Sequence, residues 1–153
     1  MISRKDLTLR IIFSIPFLLF PSLLTATDFY NVKLSRVVDG DTISVNINYL
    51  PDIFGREIRV RLAGIDTPEI RGNCVGESKL GMKAKKRLTE FINQGEIISL
   101  RRVVRGKFFR LIGDVEVDGV SASQTLLDEG LAKPYSGGAR NREQWCSYRK
   151  KRG

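Results

Sequence analysis

Arg61-Leu62-Ala63-Gly64-Ile65-Asp66-Thr67-Pro68-Glu69 sets an arginine, two carboxylates and a strand stop within nine residues. Just ahead of it, Ile58, Val60 and Leu62 alternate with Arg59 and Arg61, the period-two pattern of a strand with one apolar face and one arginine face. Pro68 has no amide hydrogen for a ladder and biases Thr67 toward extended or turn backbone, so the strand is predicted to stop near Asp66. Asp66 and Glu69 then fall at a strand end and in the loop after it, where rigid scaffolds commonly present reactive groups.

Working outward, the upstream pattern is also β. Val32, Leu34, Val37 and Val38 run into Asp39-Gly40, the dipeptide most typical of a two-residue hairpin turn. Ile43, Val45 and Ile47 then alternate with Ser44, Asn46 and Asn48, and a looser connection from Tyr49 to Gly55 completes a three-stranded meander. Downstream, Leu80, Ala84, Leu88, Phe91 and Ile92 recur on one face and predict a helix over 77–93 closed by Gly95. Lys83, Lys85, Lys86 and Arg87 populate the rest of that helix, as a solvated surface or as a phosphate-binding one. Ile97–Leu100 and Phe108–Val117 read as two more strands, the second ending at Asp118-Gly119. Ser121 and Gln124 have capping-box spacing before Leu126 and Leu127, and Gly130 stops that short helix. The order β-β-β-α-β-β-α is mainly β within an α+β class. It fits a five-stranded OB-fold barrel with two or three helices, whose open face often holds nucleic acid. Beyond Pro134 the tail is polar, basic and glycine-rich, with Trp145 as its one large apolar residue.

The 153 residues are 42% hydrophobic and 28% charged, the balance of one globular domain. Residues 1–26 read as a signal peptide: Arg4, Lys5 and Arg10 make a positive start, and Ile11–Leu24 is an apolar run interrupted by two prolines. That run suits a signal core better than a membrane span, the alternative being an uncleaved anchor. Residues 27–153 form the expected domain, secreted or periplasmic. Arg4, Lys5, Arg10 and Asp6 account for only +2 of the net charge of +9, so the domain is itself basic. Such a charge points to a polyanion, either nucleic acid or an anionic surface, where it is more than a means of staying soluble. Export favours a Cys74–Cys146 disulfide over two isolated thiols. The chain has no histidine, which excludes imidazole bases and imidazole-built zinc sites, and two cysteines are too few for a four-thiolate zinc site.

By chemistry the candidates are Asp39, Asp41, Asp66, Glu69, Arg61 and Arg110, with Lys107 and Tyr135 behind them. Asp41 opens the second strand and Asp66 ends the third, so adjacent strands can join the two carboxylates. Together with a backbone carbonyl they form an oxygen-only set that suits Ca²⁺, while Mg²⁺ uses the same groups with stricter geometry. The plainer reading makes the aspartates beside glycine and proline turn formers.

Asp39-Gly40-Asp41-Thr42, the Arg61–Glu69 segment, Arg110 ahead of Asp118-Gly119, and Gly130-Leu131-Ala132-Lys133 resemble the staphylococcal (micrococcal) nuclease family, the thermonucleases. The likeness runs from about Val32 to Tyr135 with four segments in order. It implies an OB-fold phosphodiesterase that cleaves DNA and RNA, single strands preferred, with Ca²⁺, leaving 3′-phosphate ends. It implies Asp41, Asp66 and the Thr67 carbonyl as Ca²⁺ ligands, Glu69 as general base, and Arg61 and Arg110 on the phosphate. Lys107, Phe108 and Tyr135 are the substrate-binding candidates. The expected state is a monomer with no stable membrane association once the leader is removed. The chain departs from the family pattern before Arg110, where a Tyr-Gly pair is replaced by Phe108-Phe109. The rival reading is a catalytically inactive nucleic-acid-binding OB-fold module.

Overall fold

The computed structural model describes residues 27–139 and 144–146; the expected leader lies outside them. Its centre is a closed barrel of β1 (Thr27–Val37), β2 (Thr42–Asn46), β3 (Ile58–Leu62), β5 (Ile98–Arg105) and β6 (Leu111–Val117). Around the barrel the strands run β3-β2-β1-β5-β6, and a parallel β3–β6 pairing of Val60–Leu62 with Leu111–Gly113 closes it. Closure removes the exposed sheet edges, which are otherwise templates for aggregation.

β1 closes the other side by serving two partners. Its second half, Lys33–Val37, pairs with β2, and its first half, Thr27–Val32, pairs with β5. Register shifts on both sides and a left-handed Asn31 (φ 52°) bend the strand between those halves. Ile43, Val45, Val60, Leu62, Leu100 and Val115 fill the barrel and are almost fully buried. Truncating Ile43, Leu62 or Leu100 to alanine costs about 2–5 kcal/mol in a core of this kind.

Among the described residues three helices complete the fold: α1 (Asp52–Gly55), α2 (Val75–Asn93) and α3 (Ala122–Asp128). α2 buries Gly81, Ala84, Leu88 and Ile92 and packs on α3 and β1, as the apolar spacing requires. Short strands β4 (Ile65–Asp66) and β8 (Lys133–Pro134) pair with each other, and β7 (Val120–Ser121) extends β6. The OB-type barrel and both longer helices match the sequence expectation. Ser121 caps α3 through the Gln124 amide, and Gly130 is left-handed just past its end (φ 66°).

Several local expectations are corrected. Asp39-Gly40 is not a two-residue turn: β1 and β2 are joined by residues 38–41, with the Val38 and Asp39 amides both donating to the Thr42 carbonyl. Gly40 is required by proximity, since a Cβ there would lie 2.7 Å from Thr67 Oγ1 and 2.8 Å from Ala84 Cβ. The two-residue turn is instead Asp118-Gly119, where both φ values are positive. α2 ends in a right-handed Gln94, and Gly95 serves close packing against Val117 and Asp118. The connection before β3 contains α1 rather than only loop, and β3 ends at Leu62 rather than near Asp66, because left-handed Gly64 (φ 76°) turns the chain and Ile65–Asp66 pair with β8 as the separate β4. Finally, β6 begins at Leu111, because Phe108 and Phe109 are both left-handed (φ 57°) and turn the chain.

Candidate active site

The site grows from the register of β2 and β3. Thr42 pairs with Arg61, so Asp41, one residue earlier, lies beside the end of β3, where its carbonyl accepts the Leu62 amide at 2.8 Å. The pleat turns Val60 and Leu62 into the barrel and leaves Arg61 on the outside, 19% exposed. β4 then brings Asp66 and Thr67 back across it, both buried.

Arg61 bridges the two carboxylates. Its Nη1 donates to Asp41 Oδ1 at 2.7 Å, and its Nη2 donates to the Ile65 carbonyl at 3.2 Å and to Asp66 Oδ1 at 3.4 Å. The Thr67 amide donates to Asp41 Oδ2 at 3.3 Å, and the Thr42 hydroxyl to Asp41 Oδ1 at 3.1 Å. Burial pushes the Asp41 carboxyl up to about 6; the Arg61 guanidinium offsets part of the rise and neighbouring Asp39 adds to it. A buried carboxylate that one guanidinium does not fully compensate favours a further positive charge. With Asp66 and the Thr67 carbonyl it makes an all-oxygen donor set that fits a hard divalent cation.

Glu69 follows on the exposed loop between β4 and α2. That loop rests on Glu77, only 1% exposed, whose Oε1 accepts the Glu69 amide at 3.4 Å and whose Oε2 accepts the Asn73 amide at 2.7 Å. Glu77 is the third residue after the α2 cap Cys74, the place of a capping-box acid, and that spacing was its signal in the sequence. Sequence reading also missed Gln144, whose Nε2 donates to Asp66 Oδ2 at 3.0 Å; a lone amide in a basic tail has no period or motif to betray it.

Tyr135 is joined to the site by its amide, which donates to the Gly64 carbonyl at 2.9 Å, and Arg61 lies 5.8 Å from its ring centroid. Arg110 sits at the foot of the β5–β6 hairpin, two residues before Ile112, the β3–β6 partner of Arg61. Its Nε is buried with no hydrogen-bond partner among the described residues. Lys107 and Phe108 lie in the β5–β6 hairpin loop, where Phe108 is 96% exposed. Phe109, where the family pattern has glycine, holds a left-handed backbone (φ 57°), a strained conformation for that side chain. Arg105 stacks on Phe109, 4.8 Å from its centroid. Cys74 and Cys146 are joined, with Cα atoms 6.0 Å apart.

Fold and cluster together define a class: a small OB-type barrel with an arginine-carboxylate site at the end of its third strand. The chain belongs to the staphylococcal nuclease family, since residues 59–151 match the family model described as staphylococcal nuclease homologue. It is 40% identical over 107 residues to endonuclease YncB of Bacillus subtilis (strain 168), covering 67% of this chain and 47% of that one. It is 41% identical, again over 107 residues, to the SPbeta prophage-derived endonuclease YokF of the same organism, covering 67% and 33%. A probable staphylococcal-like nuclease of Oryza sativa subsp. japonica, CAN1, is 28% identical over 85 residues, covering 56% and 24%. The chain thus spans less than half the length of these relatives.

Proposed function

We propose that this protein is a secreted or periplasmic, Ca²⁺-dependent nuclease that hydrolyses phosphodiester bonds of DNA and RNA and leaves 3′-phosphate ends. The observation that carries the reading is one guanidinium, Arg61, held between two buried carboxylates, Asp41 and Asp66, at a strand end. The names of the relatives and the net charge of +9 support a nucleic-acid substrate.

Asp41, Asp66 and the Thr67 carbonyl would hold the ion. Ca²⁺ there would supply Lewis acidity at a non-bridging phosphate oxygen and lower the pKa of nearby water. Arg61 spends three donor contacts on the described residues, and a guanidinium has five N–H groups, so donors remain for the charge developing on the phosphate. Arg110 offers a second guanidinium with an unused Nε. Glu69 takes the proton from the attacking water, the carboxylate serving where no histidine exists. Lys107, Phe108 and Tyr135 bind the strand by charge and stacking.

The test is cleavage of single-stranded DNA by residues 27–153 with Ca²⁺ and with chelator. Scission only with Ca²⁺ is expected. A band shift that survives chelator, without scission under either condition, would mark an inactive binding module instead.

The ion should also alter the pH dependence of stability. Asp41 keeps its proton up to about pH 6 in the fold but only to about 3.8 when unfolded. Its contribution to stability is therefore full below the lower value and lost as pH rises through the higher, by about 3 kcal/mol in all. In chelator the melting temperature should fall between about pH 4 and about pH 6, while the gain on adding Ca²⁺ should grow over that interval. A Ca²⁺ gain equal at both pH values would show that Asp41 is no ligand.

A further inference from the structure

Gln144, Trp145 and Cys146 are held by three separate attachments. Cys146 is bonded to Cys74, the cap of α2, across 72 residues of sequence. Trp145 is 5% exposed, with Lys133 Nζ 4.4 Å from its ring centroid. The same Lys133 Nζ donates to the Gln144 carbonyl at 3.0 Å, and Lys133 is the β4–β8 partner of Asp66. The side chain left over from this anchoring is the Gln144 amide, which donates to Asp66 Oδ2 at 3.0 Å. Asp66 is therefore gripped at one oxygen by Arg61 from the barrel and at the other by Gln144 from the far end of the chain.

We propose that Gln144 is a positioning residue for Asp66, and that the Cys74–Cys146 disulfide, by holding Gln144 in place, makes the cation affinity of the site depend on the redox state of the protein. The inference rests on the reading of Asp66 as a Ca²⁺ ligand. A carboxylate ligand fixed by an outer hydrogen bond loses less freedom when it coordinates, and removing such partners typically weakens metal binding about 10- to 100-fold. Reduction by a dithiol, two electrons and two protons converting the bond to two thiols while the reductant closes its own disulfide, releases the segment from α2. The amide then meets Asp66 only as often as the segment, left with the Trp145 contact and the Lys133 bond, holds its place.

The experiment measures Ca²⁺ affinity by titration calorimetry for the wild type, Gln144→Met, the pair Cys74→Ser with Cys146→Ser, and the triple variant. Serine supplies a hydroxyl oxygen in place of the Cys74 sulfur that caps α2, and methionine preserves the length of glutamine while the Lys133 bond, made to backbone, survives. Gln144→Met is expected to bind about tenfold or more weakly with its chelator melting temperature unchanged. The cysteine pair should lose as much affinity and melt lower, and the triple variant should bind no more weakly than the cysteine pair. Wild-type affinity in Gln144→Met overturns the positioning role and the redox link that runs through it, and leaves the proposed function standing. Losses that multiply in the triple variant overturn the link between disulfide and Gln144. No Ca²⁺ binding by the wild type overturns this inference together with the proposed function.

Discussion

Glu69→Gln should lower single-turnover cleavage of single-stranded DNA by about 10²- to 10⁴-fold at saturating Ca²⁺, the range a positioned general base contributes. Glutamine keeps the size and polarity of the side chain but cannot take up a proton. Glu69 is exposed, and its backbone amide rests on buried Glu77, a contact that the substitution leaves in place. The melting temperature should therefore stay within a degree or two, the scale of surface changes below about 0.5 kcal/mol. Ca²⁺ affinity should also hold, because Glu69 is not among the proposed ligands. Cleavage within tenfold of wild type would mean that another group takes the proton and that Glu69 only orients the water.

Arg61→Lys should cost about 10²-fold or more, expressed mainly in kcat. Lysine preserves the positive charge, so Asp41 and Asp66 are not left facing each other uncompensated. It loses the planar fork, and one ammonium cannot reproduce donors that reach Asp41 at 2.7 Å, the Ile65 carbonyl at 3.2 Å and a phosphate at once. Arg61 is mostly sheltered, and Tyr135 lies against it, so the replacement sits where a water-screened charge could not substitute. Rates within a few-fold of wild type would show that Arg61 serves only to pair the carboxylates. A loss confined to KM would place it on the ground-state phosphate rather than on the transition state.

Much of this protein is written in local pattern. The alternation from Ile58 to Leu62, the apolar stripe of α2 and the Ser121 cap each follow from side-chain period or a single backbone bond, so neighbours in sequence are enough to predict them. The Arg61–Glu69 stretch likewise marks its own chemistry, because its charged residues are adjacent in the chain, although the third strand stops at Leu62 rather than at Pro68. Local rules failed where a distant partner decided the outcome. Gly40 looks like a turn glycine but is required because Thr67 and Ala84 press on it. Phe108 and Phe109 look like strand residues but take the left-handed turn that the β5–β6 hairpin demands.

What the sequence determined by itself is thus the five barrel strands and the two longer helices, the basic character of the domain and the acidic and basic groups from which its site is drawn. What only the tertiary structure decided is how they meet: the β3–β6 closure, Glu77 beneath the Glu69 loop and Gln144 on Asp66. The reason is physical. Period and capping are set by backbone geometry over a few residues, whereas a single hydrogen bond between residues 66 and 144 leaves no periodic trace and exists only once the barrel has brought both ends together.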